Sequence, residues 1–253
     1  MIGNPLFCQR IFLLKSGAIM ITDFHTHILP GVDDGSRSVE MSIEMLQSMA
    51  KQGVKRIVAT PHFYAHRDTP NRFLARRARG ENALRQAMSS HADLPEIIMG
   101  AEVYYFPGMS NSDMLPAMTI NGTNYILIEM HDSPWNESMY RELENIRIRQ
   151  GLMPIIAHID RYITPMRQHG IPERLQSMDV CVQANAEFFL HWSTNRLAMQ
   201  LLENGNIHLL GSDCHSTKRR APNMDLAIQK IRKKLGDGPL QALAEMEEQI
   251  LGK

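Results

Sequence analysis

Three things are scarce in this 253-residue sequence: an excess of charge of either sign, pairable cysteines, and long hydrophobic runs. Its 27 basic residues balance 27 acidic ones. Nucleic acid and anionic membranes both reward a strong basic excess, so neither is expected as a partner, and any anionic ligand must be held locally. Cys8, Cys181 and Cys214 are an odd number at wide spacing, which argues against a disulfide scaffold and for a reducing, cytoplasmic compartment. The stretch Arg10-Ile11-Phe12-Leu13-Leu14-Lys15 has a four-residue apolar core, too short for a transmembrane segment and poor as a signal peptide. Because Met20 directly precedes the first strand-like run, residues 1–19 read as an extension from an alternative upstream start. Residues 20–253 then read as one domain, long enough to bury a sizeable core and crossed by no linker.

What is present is a repeated alternation. Seven apolar, β-branched runs occur at 21–25, 54–60, 96–103, 125–130, 154–158, 180–184 and 207–211. Helical stretches separate most of them. Val39, Ile43, Leu46 and Ala50 share one helical face, with Ser38 placed to cap the start and Gly53 to end it. The segments 139–150, 195–204 and 224–235 have the same pattern. Buried strands alternating with helices predict a parallel sheet, and seven of them predict a closed or nearly closed (β/α) barrel.

In such a barrel the C-terminal ends of the strands converge on one mouth. The runs end on residues that bind metals. His25 and His27 straddle the end of the first, and both reach the mouth if the strand terminates or twists there. His62 follows Thr60-Pro61, Glu102 follows Gly100-Ala101, Glu129 closes the run at 125, His158 closes the run at 154, and Asp213 and His215 follow the last. Asp34 lies in the loop after the first strand. A buried carboxylate or imidazole must be paired, protonated or bound to a metal. Any one of these alone reads better as a satisfied core residue; their number and strand-end placement together favour a metal site. Nitrogen and oxygen donors without thiolates favour manganese, iron or zinc.

The ordered set Asp23-Phe24-His25-Thr26-His27, Asp33-Asp34-Gly35, Thr60-Pro61-His62, Gly100-Ala101-Glu102, Ile128-Glu129, Ala157-His158-Ile159-Asp160-Arg161-Tyr162 and Gly211-Ser212-Asp213-Cys214-His215 resembles the polymerase-and-histidinol-phosphatase (PHP) superfamily. Within it, the chain is similar to the bacterial manganese-dependent protein-tyrosine phosphatases of capsular and exopolysaccharide operons. The resemblance implies a distorted (β/α)7 barrel of the PHP type with three divalent metal ions, manganese first and iron or zinc next. It implies hydrolysis of phosphotyrosine on the tail of an autophosphorylated bacterial tyrosine kinase that controls polysaccharide export. Carried over by position, the metal ligands are His25, His27, Asp34, His62, Glu102, Glu129, His158, Asp213 and His215, with Glu102 bridging two metals. Asp34 is chosen over Asp33 by alignment with the family's aspartate before glycine, which leaves Asp33 a role in the turn at Gly35. Arg161 and Arg220 match the family's basic positions and are expected to grip phosphate through a planar fork. Two metals can activate water and clamp phosphoryl oxygens, so no protein nucleophile is needed.

Two other features compete for attention. Cys214 and Arg220 have the bare Cys-x5-Arg spacing of thiol-based tyrosine phosphatases, but the intervening residues lack glycine and Pro222 follows where a helix should continue. Arg72, Arg76 and Arg79 form a stripe with Arg77 beside it, read either as a solvated face or as a surface that steers a phosphorylated tail. Its position after His62 suggests a connection leading away from the mouth. The alternative functions are a histidinol-phosphate phosphatase or other PHP phosphoesterase and, from a different class, a non-catalytic regulatory binding protein on the same barrel.

Overall fold

The computed structural model describes residues 21–163, 170–178 and 180–252, so the expected extension at 1–19 and Cys8 lie outside the described residues. Its strands are β1 (Ile21–Thr26), β2 (Val54–Ala59), β3 (His62–Phe63), β4 (Glu96–Met99), β5 (Glu102–Tyr104), β6 (Tyr125–Glu129), β7 (Met153–Ile156), β8 (Cys181–Asn185) and β9 (Leu209–Gly211). All pair in parallel, in the orders β1-β2-β4 and β3-β5-β6-β7-β8-β9. The second and third sequence runs are each broken in two, at Thr60-Pro61 and at Gly100-Ala101. Proline cannot donate to a ladder, so β2 stops before it and resumes as β3 beside β5. The result is seven staves, and a bridge between Thr26 and Cys214 brings the last beside the first. This is the expected distorted (β/α)7 barrel.

Close contact at that seam depends on a missing side chain. A Cβ on Gly211 would lie 2.5 Å from His25 Cβ and 2.9 Å from its backbone nitrogen. Only glycine lets β9 lie this near β1.

Residues alternate inward and outward along the staves. Phe24, Val58, Ile98, Leu127, Ile155, Cys181 and Leu209 form a buried inner cluster, one from each stave. Their sequence neighbours, such as Ile57, Ile97, Ile126, Ile156, Val182 and Leu210, belong to an outer cluster under the helices. Those helices are α1 (Val39–Lys51), α2 (Pro70–Met88), α3 (Glu137–Gln150), α4 (Asp160–Ile163), α5 (Ile171–Gln176), α6 (Ala186–Leu190), α7 (Asn195–Glu203), α8 (Met224–Leu235) and α9 (Gly238–Leu251). Ser38 caps α1 as expected, its hydroxyl accepting from the Met41 amide at 3.3 Å. No helix among the described residues is long and apolar enough to cross a membrane.

The last helix does something the sequence pattern did not announce. Ile250 and Leu251 of α9 join the inner cluster, and Gln249 donates to the hydroxyl of Tyr125 at the start of β6. The helix therefore plugs the barrel at the end opposite the strand C-termini. Glu247 is carried with it into a buried position, and its Oε2 has no hydrogen-bond partner.

Burial pushes the Glu247 carboxyl up to about 8, outweighing the Thr22 hydrogen bond and the Arg56 charge that favour its ionised form. Between the ordinary carboxylate range and that value, the folded chain keeps a proton that the unfolded chain has released. Stability from this group is thus complete in acid and is lost as pH rises through the window. Glu247→Gln stays neutral throughout. Denaturant unfolding should show it close to wild type near pH 5 and more stable, by on the order of a few kcal/mol, near pH 8. A gap that does not change with pH would refute this account.

Candidate metal centre

Local geometry delivers the donors to one mouth. The β1–β2 register is irregular between Asp23 and Thr26. This re-aims the strand end, so that Phe24 fills the inner core while the Nε2 atoms of His25 and His27 meet at 3.1 Å. His62 opens β3 and pairs in register with Glu102, which opens β5. Glu129 ends β6, His158 follows β7, and Asp213 and His215 follow β9.

Glu102 sits at the middle. Its side chain is fully buried, and its Oε2 lies 3.1 Å from His25 Nε2, 3.3 Å from His27 Nε2 and 2.9 Å from His62 Nδ1. Its Oε1 is 2.9 Å from His158 Nε2. Yet Oε2 and His62 Nδ1 make no hydrogen bond despite their proximity, and neither does Glu129 Oε2, 3.5 Å from the same His62 nitrogen. Buried polar atoms that crowd one another without bonding are aimed at a shared point, as ligands of a cation are. Among the described residues, three sets of donor atoms lie close enough to hold an ion: His27, Asp34, His62 and His215; His25, His27 and Glu102; and His62, Glu102 and Glu129. His158 flanks the third set, 3.5 Å from Glu129 Oε1. Asp213 flanks the second, with its Oδ1 3.3 Å from His27 Nε2 and 3.6 Å from His25 Nε2. All nine sequence candidates are in this one cluster, and the imidazole and carboxylate donors fit a divalent manganese, iron or zinc ion.

A surrounding layer fixes how the rings point. His27 Nδ1 donates to Asp33 Oδ2 at 2.7 Å, His25 Nδ1 donates to Gln183 Oε1 at 3.1 Å, and His215 Nδ1 donates to the Asp213 carbonyl at 2.9 Å. Each bond occupies the far nitrogen and leaves Nε2 for the mouth. Gln183 Oε1 also accepts from the His158 amide, and Gln183 Nε2 donates to Asn185, whose amide donates to Asp213 Oδ2. The sequence reading missed Gln183 and Asn185. The signal for them was two amides in an otherwise apolar strand. Asp33 has more than the turn role expected of it, since the same carboxylate also receives the His62 and Gly35 amides. Gly35 is required here, because a Cβ would lie 2.2 Å from the His27 carbonyl.

Charge is distributed to match. Burial alone would depress the His27 pKa, but Asp33, Asp213 and Glu102 outweigh it and hold the imidazole well above its ordinary value. Burial opposes ionisation of Glu102 too, and the imidazoles of His25, His62 and His158 overcome it, holding that carboxyl well below the usual range. His158 is raised to about 9 against its burial by Glu102 and Glu129. His215 is lowered to about 4 by burial and by the charges of His27 and Arg220.

The two arginines expected at the phosphate converge from separate loops. Arg161 on α4 bonds Asp213 Oδ2 and lies 3.4 Å from Glu129 Oε1; Arg220 pairs with the same Asp213 oxygen and donates to His215 Nε2 at 2.9 Å. Both remain partly exposed at the rim. His158, Asp213 and Arg220 all have positive φ, at 33°, 52° and 54°. Side chains rarely tolerate that region, and such strain collects where function fixes the backbone. Cys214 points elsewhere: it is fully buried in the outer cluster, and burial pushes its thiol well above the ordinary value. That is the reverse of an activated thiolate.

The arginine stripe does not lead away from the mouth. A cavity of about 400 Å³ beside the metal donors is lined by Asp34, His62, Tyr64, Arg67, Arg72 and Arg76 among others, so the N-terminal half of α2 borders the site. Tyr64 lies against His62 with ring centroids 5.1 Å apart, and Tyr104 is 5.4 Å beyond. Neither tyrosine was singled out from sequence.

Comparison with known proteins gives one consistent group. The profile of the family described as capsular polysaccharide synthesis, CpsB/CapC, matches residues 21–251. Tyrosine-protein phosphatase CpsB of Streptococcus pneumoniae is 32% identical over 226 residues, which cover 85% of this chain and 90% of that one. Tyrosine-protein phosphatase YwqE of Bacillus subtilis is 27% identical, covering 90% and 91%. A crystal structure from work on YwqE and CpsB, described as metal-dependent tyrosine phosphatases, superposes with a TM-score of 0.81 at 24% identity, covering 91% of this chain and 94% of that one.

Two measurements test this geometry. Asp33→Asn should weaken metal affinity by roughly 10–100-fold with the fold retained, as read by competition against a chelator; unchanged affinity would deny Asp33 its orienting role. Arg220→Gly should unfold at higher denaturant than Arg220→Ala, by about 1 kcal/mol, because only glycine is at ease at this φ. Equal stability would mean the backbone there is not strained.

Proposed function

Since the chain belongs to the capsular polysaccharide synthesis CpsB/CapC family, we propose that it is a metal-dependent phosphotyrosine-protein phosphatase whose substrate is the tail of an autophosphorylated bacterial tyrosine kinase controlling capsular or exopolysaccharide export. The observation that carries this reading is the cavity in which the donors Asp34 and His62 meet the ring of Tyr64. It offers a phosphoryl group and an aromatic ring adjoining places.

The nine donors are assigned to hold three divalent ions, manganese first, with Glu102 shared because its oxygens face imidazoles on both sides. Bound there, the ions would activate water and neutralise charge on the phosphoryl oxygens. The chain's own residues do the rest. Arg161 and Arg220 stand at the rim with guanidinium groups directed at the cluster, placed to grip the phosphoryl group as charge shifts. Tyr64, lining the cavity beside His62, is placed to meet the aryl group, an aromatic contact worth about 1 kcal/mol. The departing phenolate is a good leaving group, with an ordinary pKa of about 10. Histidinol phosphate, the substrate of the nearest alternative, is an alkyl ester and gains less from this aromatic wall. A non-catalytic role is disfavoured because the complete donor set is present and clustered. We assign the work to the cytoplasm, in keeping with Cys214 being a buried free thiol.

A side-by-side assay decides the substrate: kcat/KM should favour a phosphotyrosine peptide over histidinol phosphate by at least about tenfold, and the opposite preference would overturn the assignment. Chelation should abolish turnover and manganese restore it, whereas full activity after verified metal removal would sink the mechanism. Arg161→Ala and Arg220→Ala should each slow even a small aryl phosphate by roughly 10²–10³-fold, and a variant with an unchanged rate would leave the catalytic set. Cys214→Ala should keep most of its turnover; complete inactivity with metals bound would revive the thiol route.

A further inference from the structure

We propose that a second anion site lies beside the metal mouth, in the cleft between the loop before α1 and the middle of α2, and that it binds a second phosphoryl group on the same substrate chain. This deepens the reading above and rests on it. The cleft has a volume of about 370 Å³, and Arg37, Arg76 and Arg79 line it over a floor that includes Pro30, Gly31 and Gly80. Its lining contains no carboxylate. Arg76 lines both this cleft and the cavity at the metal donors, so the two spaces share a wall.

The other arginines of α2 are occupied. Arg72 and Arg76 pair with Asp68, Arg85 pairs with Glu81, and Arg77 donates to the carbonyls of Gly100 and Ala117. Arg79 is different: among the described residues neither it nor Arg37 has an ion pair, although one lies on the helix and the other on the loop facing it. The two walls that carry them are held together by backbone. A Cβ on Gly80 would lie 2.6 Å from Val32 Cγ2, so glycine is what lets α2 approach the loop. Two arginines lining one cleft without an ion pair among the described residues, with Arg76 beside them, suit a dianion with several acceptor oxygens. A chain reacting at the metal donors could lay a neighbouring phosphoryl group there, gaining affinity because the second contact is intramolecular.

The test measures binding, by fluorescence anisotropy on the metal-loaded protein. The probes are labelled peptides with a non-hydrolysable phosphonate analogue of phosphotyrosine, either single or paired with a second analogue at a series of spacings. The wild type should bind the doubly substituted peptide about tenfold more tightly than the single one at a preferred spacing. The double variant Arg37→Ala with Arg79→Ala should lose that advantage while binding the single peptide and hydrolysing a small aryl phosphate as before. No advantage at any spacing, or one that survives the double substitution, overturns the proposal. If the alanine variant unfolds, Arg37→Gln with Arg79→Gln removes the charge and keeps most of the bulk. Inorganic phosphate added as competitor should erase the advantage if the cleft recognises the phosphoryl dianion itself; an advantage indifferent to it overturns that identification. The phosphatase reading fails separately, if the metal-loaded wild type hydrolyses no aryl phosphate.

Discussion

Glu102 is a fully buried carboxylate, surrounded by the rings of His25, His27, His62 and His158. Burying such a charge among apolar strands is unfavourable unless positive charge is brought to it, and imidazoles from the ends of β1 and β7 and the start of β3 meet that requirement. Protonated imidazoles can balance it, and so can a cation. Glu102 Oε2 and Glu129 Oε2 make no hydrogen bond within the protein, which suits a cation held between them. The centre is therefore a place where the fold accepts local instability, held by the cores inside and outside the barrel.

Order around this point comes from a second layer of polar residues rather than from the donors. Gln183 ties the ring of His25 to the backbone of His158, and through Asn185 to the carboxylate of Asp213. One strand thus positions groups from three others. Asp33 does the same on the opposite side for His27 and His62. Positive φ angles fall at His158 and Asp213, each two residues past a strand end, because a loop leaving a strand must turn at once to aim a side chain back over the mouth, and a third falls at Arg220 farther along the last loop.

The surface next to the centre is shaped for an extended anion with an aromatic group. Tyr64 and Tyr104 border the donors on one side, and the arginines of α2 continue from there toward the loop before α1. Asp68 neutralises the part of the stripe nearest the donors, while Arg37 and Arg79 are left open farther along. A uniformly solvated face would not divide in this way.

The sequence by itself determined the seven staves, the helices α1, α3, α7 and α8 to within a few residues, and the chemical type of the donors at the strand ends. Strand alternation, helix periodicity and caps are local, so they are written in neighbouring residues. Tertiary structure decided everything that joins distant positions. His25 finds Gln183 158 residues away, Arg161 and Arg220 meet on Asp213, and α9 returns to plug the barrel under β6. The direction of α2 was misread for the same reason: its arginine spacing records which face they share, not that its first turns lie beside Asp34 and His62. Asp33 and Asp34 are chemically identical in the sequence. The family resemblance picks Asp34, and the folded loop supplies the physical reason, because Gly35 presses it against His27 and gives one carboxylate to the histidine ring and leaves the other at the mouth.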